Sequence, residues 1–356
     1  MGGISIRGRF AAQEKSGKIA EMIKDAIARA VAGRPLTAAE AAEAMGEIMD
    51  GAASPALIAA FAVALRMKGE TPDEIAGCAR AMRARMVKVD PGPGPVVDTC
   101  GTGGDGLGTF NVSTVAALVV AACGVKVAKH GNRAASSKCG SSDLLEALGV
   151  KIDAPREKVE ASLREAGIGY MHAPSFHPAM KHAGPVRKEL GVRTVFNLLG
   201  PLCNPAGADV QCVGLFSAAL CRPYAETLRA LGSRSAFTFH GHGGLDELST
   251  TGPNAAVRLV DGRLEELTIG PDAIGAPVAK LEDLLGGSVD DNAKIAVDIL
   301  GGQKGAKRDI VLLNAAAALV AAGAAKDFPE GGEKAARAVD SGRATRALEA
   351  LAAASR

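Results

Sequence analysis

Three segments rich in glycine and hydroxyl side chains carry the residues of this chain that could do chemistry. The first segment, GTGGDGLGTFNVST at 101–114, ends on the hydroxyls of Ser113 and Thr114. Glycines let backbone amides approach a ligand closely, and the free amides at a helix start favour an anion. The second segment, KHGNRAASSKCGSS at 129–142, adds basic side chains to a similar series of serines. Two such segments in succession predict a ligand that carries phosphate at both ends.

Residues 101–106 also match the G-x-G-x-x-G pattern of dinucleotide-binding loops. That fold needs an acidic residue about 20 positions further on to bind the ribose hydroxyls. The chain has no Asp or Glu between Asp105 and Asp143, which argues against a nicotinamide cofactor. A purely structural alternative is that the serines only cap helices and that the basic side chains of the second segment are solvated.

The third segment, HGHGGLDELST at 240–250, contains the adjacent carboxylates Asp246 and Glu247. Mg²⁺ prefers few carboxylates together with water and phosphate oxygens, so this pair is a candidate magnesium site. The structural alternative is that the two acids begin a surface helix. His240 and His242 have the spacing of a metal-binding pair, but no third ligand accompanies them in the sequence.

Composition narrows the class of protein. The chain has 356 residues and a formal net charge of +2, which provides no broad cationic surface for nucleic acid or a membrane. Tryptophan is absent and the seven cysteines form no C-x-x-C pair, which argues against base stacking and against a zinc site. No apolar run reaches transmembrane length, and the N-terminus shows no signal-peptide core. We therefore expect a cytoplasmic protein without nucleic-acid or membrane partners.

The pattern of secondary structure changes once along the chain. Residues 18–86 show one helix signal after another, including a capping box at Thr37 and a Thr-Pro helix start at 71–72. After the Pro/Gly-rich stretch 89–97, helix-like runs alternate with short β-branched runs, namely VVDT, VKVAKH, VQCVGLFS, SAFTFHG and DIVLL. This alternation predicts an α/β fold with a mostly parallel central sheet flanked by helices. We expect a helical N-terminal domain at 1–92 and a larger α/β domain at 93–356.

Together these motifs resemble the anthranilate phosphoribosyltransferase family. The resemblance rests on GTGGD, NVST, KHGNRAASS, GPVRKELGVRTVFNLLGPLCNPA and GLDELS, in the order and approximate spacing of that family. It implies transfer of the phosphoribosyl group from 5-phosphoribosyl 1-diphosphate (PRPP) to the amine of anthranilate, with release of diphosphate, in tryptophan biosynthesis. It also implies Mg²⁺, a homodimer formed through the helical domain, and a helical segment near 175–205 that returns to that domain.

The resemblance implies a role for each matching residue. It implies catalytic roles for Lys129, Asn132 and Arg187, and magnesium binding by Ser113, Asp246 and Glu247. Anthranilate is implied to contact Gly101, Asn132 and Arg187. The PRPP site is implied to comprise Gly101, Gly104, Asp105, Thr109, Asn111, Val112, Ser113, Thr114, Lys129, His130, Gly131, Asn132, Arg133, Ala134, Ala135, Ser136, Ser137 and Ser141.

The chain departs from the family pattern at a few positions, and two other functions stay open. KCGSSD replaces the usual KSGSAD, which introduces Cys139 and Ser142, and His172 stands where an aromatic residue is common. KHGNR also occurs in pyrimidine-nucleoside phosphorylases, which act without magnesium, so the Asp246–Glu247 pair argues against that activity. A non-catalytic relative that binds nucleic acid or a sugar phosphate is the other alternative, and the near-neutral charge disfavours it.

Overall fold

The computed structural model describes residues 22–134 and 137–356, which form two compact units. The first unit comprises 22–86 and His177–Cys203, and the second comprises Val87–Phe176 and Asn204–Arg356. The expected domain limits, 1–92 and 93–356, stay a prediction, and residues 1–21 lie outside the described part of the chain.

Helices and strands occupy most of the described residues. The α-helices are α1 (22–31), α2 (Ala38–Met49), α3 (Pro55–Lys68), α4 (Pro72–Arg83), α5 (Val112–Ala122), α6 (Ser141–Ala147), α7 (Arg156–Glu165), α8 (Ala173–Phe176), α9 (Gly184–Leu190), α10 (Val195–Leu202), α11 (Cys221–Ala230), α12 (Val289–Leu300), α13 (Ala306–Ala321), α14 (Phe328–Asp340) and α15 (Arg343–Ala354). The strands are β1 (Val97–Gly101), β2 (Val127–Gly131), β3 (Ile168–His172), β4 (Val210–Gly214), β5 (Ser235–His240), β6 (Asn254–Val260) and β7 (Arg263–Ile269). Within the ranges that the structure describes, every helix is too short or too polar to cross a membrane.

The first unit consists of helices whose starts are set by local hydrogen bonds. Reciprocal caps at Thr37 and Thr71 begin α2 and α4, as the sequence patterns predict. Glu74, in the first turn of α4, is fully buried and also accepts hydrogen bonds from the amide of Leu36 at 2.9 Å and from Nζ of Lys68 at 2.8 Å. One buried carboxylate thus joins the start of α4 to the end of α3 and to the segment before α2.

The second unit is built on a seven-stranded sheet with the strand order β3-β2-β1-β4-β5-β6-β7. Strands β1 to β5 pair in parallel, whereas β6 and β7 add an antiparallel hairpin at one edge. The apolar helix α5 packs against α13 and α15, and α13 also packs against β4 and β5. The predicted fold class, a mostly parallel sheet flanked by helices beside a helical N-terminal part, is confirmed.

One predicted strand is wrong. The run DIVLL at 309–313 lies inside α13, where Ile310 to Leu313 are all buried. A short continuous apolar run does not distinguish a buried strand from a buried helix, because neither leaves a polar face to show a period. The strand pattern also misses β3, β6 and β7; most residues of β7 are exposed or half-buried, which removes the apolar signal there.

Candidate functional site

The three segments follow strands that end at one edge of the sheet. β1 and β4 end in register at Gly101 and Gly214, and β2, which pairs in parallel with β1, ends at Gly131. The third segment follows β5, the parallel neighbour of β4. Because the carboxyl ends of parallel strands share an edge, the sheet brings all three segments together at the place where ligands bind in such folds.

Hydrogen bonds join the first and third segments directly. The amide of Gly103 donates to Oδ2 of Asp246 at 2.7 Å, and the amide of Ser113 donates to Oε1 of Glu247 at 3.0 Å. Ser113 lies in the first turn of α5, where the helix dipole favours a negative charge. The two adjacent carboxylates therefore face the glycine-rich segment and do not begin a surface helix.

Two glycines make room for Asp246. A Cβ on Gly101 would lie 2.3 Å from Oδ2 of Asp246, and a Cβ on Gly214 would lie 1.6 Å from its carbonyl oxygen. A side chain at position 101 would displace the carboxylate of Asp246, and one at position 214 would displace its backbone. Gly101 therefore has a packing requirement that is independent of any ligand.

Of the two carboxyl groups of the third segment, Glu247 is buried and Asp246 is half-buried. Burial raises the pKa of Asp246 and of Glu247; the charge of Asp105 raises the first further, and the charge of Asp246 raises the second. A cation relieves such repulsion. In the described residues no group of three or more His, Cys, Asp or Glu side chains is arranged to hold a metal. A hard ion at this pair would need water or substrate oxygens as well, which is usual for Mg²⁺.

Lys129 is buried, with its side chain 3% exposed. Its Nζ donates to the carbonyl of Thr99 at 2.6 Å, and its charge opposes the rise in the pKa of both Asp98 and Glu247. The fully buried Asp98 also accepts a hydrogen bond from Nδ2 of Asn204 at 2.8 Å. Sequence reasoning missed Asp98, although an acid inside the strand-like run VVDT was an available signal.

The start of α5 differs from the expectation of free amides. The amide of Val112 donates to the carbonyl of Phe110 at 2.7 Å, and that of Thr114 donates to the carbonyl of Asn111 at 3.1 Å. Since the amide of Ser113 donates to Glu247, the expectation of free amides at the start of this helix is wrong for Val112, Ser113 and Thr114. The turn closes on itself and on the third segment.

Two acceptor atoms of the first segment receive no hydrogen bond within the described part of the chain. Oδ1 of Asn111 and Oδ2 of Asp105 are buried and accept no hydrogen bond from the residues that the structure describes. Buried acceptors usually have partners. Each of these atoms suits a donor from outside the chain, such as a hydroxyl group, or a cation.

Arg133, in the second segment, is paired with acids from α6. Its guanidinium lies 2.9 Å from Oδ1 of Asp143 and 2.8 Å from Oε2 of Glu146. Oδ2 of Asp143 in turn accepts the amides of Ala134 and Gly140, each at 2.9 Å. The lack of acids between Asp105 and Asp143 in the sequence does not leave Arg133 unbalanced, because the helix that follows the segment supplies two.

The second segment folds back on the carbonyl oxygen of Asn132. This oxygen accepts Oγ–H of Ser141 at 3.2 Å and the amide of Ser142 at 3.1 Å. Nδ2 of Asn111 donates to the carbonyl of Cys139 at 3.0 Å, which joins the first segment to the second. All three segments are thus in direct contact through hydrogen bonds.

The other residues predicted for the PRPP site lie in the first and second segments. Thr109 forms an isolated bridge with Leu285, and Gly104 has a positive φ of 75°. The buried His130 and the half-buried Gly131 end β2, and the exposed Ser137 follows the two predicted residues Ala135 and Ser136, which lie outside the described part of the chain.

Arg187 belongs to the first unit, in α9. Its guanidinium carbon lies 5.7 Å from the centre of the Phe196 ring, and burial lowers its pKa. No carboxylate of the described residues lies within 4.0 Å of this guanidinium. A half-buried guanidinium without a counter-ion suits a planar carboxylate ligand.

The histidines of the third segment do not face a common metal. Nδ1 of His240 lies 2.7 Å from the carbonyl of Leu215, whereas Nδ1 of His242 lies 3.0 Å from Oγ1 of Thr251. Each ring therefore has its own partner within the chain.

Two family models match the chain. The a/b domain of a glycosyl transferase family matches residues 93–345, and the helical bundle domain of a glycosyl transferase family matches residues 24–86. The anthranilate phosphoribosyltransferase of Beijerinckia indica is 54% identical over 333 residues, which cover 94% of this chain and 97% of the relative.

Solved structures agree with these matches. The anthranilate phosphoribosyltransferase of Thermus thermophilus superimposes with a TM-score of 0.89 at 47% identity, and the match covers 93% of this chain and 99% of that one. The enzyme of Saccharomyces cerevisiae in complex with PRPP and Mg has a TM-score of 0.86 at 28% identity, with 95% and 98% coverage. The family resemblance carried by the motifs is confirmed, and since the matches span nearly the whole chain, the chain belongs to the anthranilate phosphoribosyltransferases.

Proposed function

We propose that the edge of the sheet where the three segments meet binds PRPP, and that the chain transfers its phosphoribosyl group to the amine of anthranilate. The observation that carries this proposal is the contact of the third segment with the first, in which Asp246 and Glu247 accept the amides of Gly103 and Ser113. Two adjacent carboxylates, one buried and one half-buried, beside a glycine-rich segment suit a cation that also binds a diphosphate.

Magnesium fits the donors that are present. Asp246 and Glu247 repel each other, and their pKa values are raised by burial and by this repulsion, so a divalent cation would stabilise the ionised pair. We propose that these two carboxylates and the hydroxyl of Ser113 hold Mg²⁺. When bound, the ion supplies positive charge that stabilises the departing diphosphate.

The phosphates of PRPP are proposed to lie over the first two segments. Supporting features are the glycines of the first segment and the hydroxyls of Ser137 and Ser141 in the second. The unpartnered acceptors of Asp105 and Asn111 suit ribose hydroxyls. We propose that all the PRPP-site residues that the resemblance implies line this site, with Lys129 as a buried positive charge that stabilises the leaving group at a distance.

Anthranilate is proposed to bind through Gly101, Asn132 and Arg187. The half-buried guanidinium of Arg187 has no carboxylate partner in the described residues, and a bidentate pair with the anthranilate carboxylate would satisfy it. The aryl amine is neutral at pH 7, so it needs positioning more than activation.

The chemistry follows from the charges. The bond between ribose C1 and the diphosphate oxygen breaks, a bond from the amine nitrogen to C1 forms, and the nitrogen then loses one proton. Negative charge accumulates on the leaving group, so donors and cations that are already in place contribute most to the rate. Glycine amides, serine hydroxyls and the charge of Lys129 have this role here.

In the decisive test, the protein is mixed with anthranilate, PRPP and Mg²⁺, and the loss of anthranilate fluorescence is measured over time. We expect loss only when all three are present, and none after chelation with EDTA. A parallel reaction with a pyrimidine nucleoside and inorganic phosphate addresses the rival activity. Nucleoside cleavage without any consumption of anthranilate would overturn the proposal.

We also propose that the chain forms a homodimer through its helical domain, at 1–92 with the return near 175–205, and works in the cytoplasm. Exposed apolar side chains on the first unit, among them Met67 and Val31, support a partner surface there. The seven cysteines are all free thiols, which suits a reducing compartment. Light scattering coupled to size exclusion tests the dimer, and a mass of one chain would contradict it.

A further inference from the structure

A chain of hydroxyl groups leads from the second segment to a histidine that the proposed reaction does not use. Oγ of Ser141 lies 3.2 Å from the hydroxyl of Tyr170, which lies 2.5 Å from Oγ of Ser142, which lies 2.9 Å from Nδ1 of His172. Ser142 and His172 are two positions at which the sequence departs from its family pattern, and the structure places them in contact.

We call this series of hydrogen-bonded side chains, Ser141, Tyr170, Ser142 and His172, the hydroxyl chain. It packs against the backbone of the second segment. A Cβ on Gly131 would lie 2.1 Å from Oγ of Ser141 and 2.9 Å from the hydroxyl of Tyr170. Tyr170 and Ser142 are buried, so their hydroxyls need partners inside the protein. They find them in each other, in Ser141 and in His172.

The direction of the hydrogen bonds depends on the protonation of His172. A neutral ring with its proton on Nε2 accepts a hydrogen bond at Nδ1 from the hydroxyl of Ser142. The oxygen of Ser142 then accepts a hydrogen bond from Tyr170. A protonated ring donates from Nδ1 to Ser142, so Ser142 donates to Tyr170 and Tyr170 donates to Ser141. The Oγ–H of Ser141 donates to the carbonyl of Asn132 in this structure and would turn from that carbonyl to a bound phosphate. A hydroxyl that receives a hydrogen bond is a stronger donor itself, because hydrogen bonds in a chain polarise one another.

We propose that Ser142 and His172 are positioning residues for phosphate binding, which act through Tyr170 and strengthen the hydroxyl of Ser141 as a donor to PRPP when His172 is protonated. The inference rests on the proposed function, since it takes Ser141 as a phosphate ligand. Each hydroxyl changes only the direction of its hydrogen bond, and one proton from solvent resides on His172.

The charges around His172 agree with such a coupling. Burial lowers its pKa from the ordinary 6.5, and the nearby charge of Arg133 lowers it further, whereas Asp153, Glu146 and Asp143 raise it. A bound phosphate adds negative charge and favours the protonated ring. By linkage, protonation must then favour phosphate binding to the same degree. The affinity for PRPP is expected to rise as the pH falls through the range near and below 6.5.

The test separates the hydroxyl chain from direct electrostatic attraction. NMR titration of His172, assigned by comparison with His172→Phe, is carried out with and without PRPP and Mg²⁺ in the absence of anthranilate. Ser142→Ala keeps the charges of the site but interrupts the hydroxyl chain. We expect PRPP to raise the pKa of His172 more in the wild type than in Ser142→Ala, with an excess equivalent to about fivefold in affinity, at the lower end of typical coupling.

Calorimetric binding of PRPP and Mg²⁺ at pH 5.5 and pH 8 provides the second readout. Ionisation of PRPP changes the affinity of the wild type and of Ser142→Ala equally. A difference between the two proteins in how their affinity depends on pH therefore comes from the hydroxyl chain. Tyr170→Phe interrupts the hydroxyl chain at a different point, and we expect it to behave as Ser142→Ala does. Equal shifts in the wild type and both variants would overturn the inference.

Ser141→Ala distinguishes this failure from failure of the proposed function. If Ser141→Ala binds PRPP as the wild type does, Ser141 is no phosphate ligand and the assignment of the second segment is wrong. If Ser141→Ala binds more weakly but Ser142→Ala and Tyr170→Phe match the wild type at both pH values, the site stands and the hydroxyl chain has no role.

Discussion

The amide of Ser113 donates to Oε1 of Glu247 at 3.0 Å, although 134 positions separate the two residues in the chain. The contact fixes the third segment against the start of α5 and places Ser113 and Glu247, two of the three proposed metal ligands, side by side. Four predictions follow from this arrangement and from the surroundings of two other residues.

Replacement of Glu247 by Gln keeps the shape of the side chain but removes its charge. We expect the rate at saturating substrate to fall about 10²–10³-fold, the typical cost of one preorganised electrostatic contact. We also expect Mg²⁺ with PRPP to raise the melting temperature of the wild type and to have much less effect on the variant. Calorimetry and steady-state kinetics measure both.

The exposed Glu265, on β7, is the matched control for this change. Glu265→Gln removes an equal charge far from the contacts described, and its magnesium titration should match that of the wild type. A normal magnesium titration for Glu247→Gln would remove Glu247 from the proposed metal site.

Gly214→Ala tests the close approach of the third segment. The new methyl group would lie 1.6 Å from the carbonyl oxygen of Asp246, and backbone atoms yield only with strain. We expect a loss of about 1–3 kcal/mol in the free energy of unfolding, as for other overpacked sites, together with loss of activity. Gly200→Ala is the control, because a Cβ on Gly200 meets no atom within 4 Å. Urea denaturation of both variants provides the comparison, and equal stability would contradict the crowding.

Arg187→Ala tests the proposed anthranilate carboxylate site. Hydrogen bonds to charged groups contribute roughly 1.5–3 kcal/mol, so we expect the KM for anthranilate to rise about 10- to 100-fold. The KM for PRPP should change little. The exposed Lys188, on the same helix, is the control, and Lys188→Ala should leave both constants near their wild-type values. Equal increases in the two KM values of Arg187→Ala would refute the assignment.

His177 gives the stability of the protein a defined dependence on pH. Burial lowers its pKa from 6.5 to about 4, although a hydrogen bond with the backbone of Cys203 opposes this effect. Between these values the unfolded chain binds a proton that the folded chain does not, so the free energy of unfolding falls as the pH falls. The stability is fully present above pH 6.5 and is reduced by about 3 kcal/mol once the pH reaches 4.

Denaturant midpoints between pH 7 and pH 4.5 measure this slope. His177→Gln should show a shallower loss of stability than the wild type, whereas the exposed His242, changed to Gln, should leave the slope unaltered. The same slope in all three proteins would show that other groups are responsible.

Features that depend on residues close together in the chain could be predicted from the sequence. The caps at Thr37 and Thr71 depend on residues only three positions apart, so their hydrogen bonds are specified wherever the helix begins. The glycine segments, the alternation of strands with helices and the family motifs are likewise contained in short runs of sequence. From these the fold class and the family could be predicted, and both predictions are confirmed.

The partners of charged groups depend instead on how strands and helices pack. Arg133 is a free cation in the sequence but is paired with Asp143 and Glu146 once α6 turns back over the segment. Lys129 belongs to a run of basic residues in the sequence, and the structure buries it with its Nζ donating to the carbonyl of Thr99. Sequence distance does not predict such contacts, because they form only when a neighbouring strand or a helix that turns back has brought the partner close.

The same reason explains what the tertiary structure alone decided. DIVLL became helix because its apolar residues pack inside the unit, where burial outweighs strand propensity. The contact of Ser142 with His172 exists because β2 and β3 are neighbours and α6 starts beside them. The sequence by itself determined which elements form and which chemistry they carry; the packing of those elements decided which side chains meet, since that depends on interactions between residues far apart in the chain.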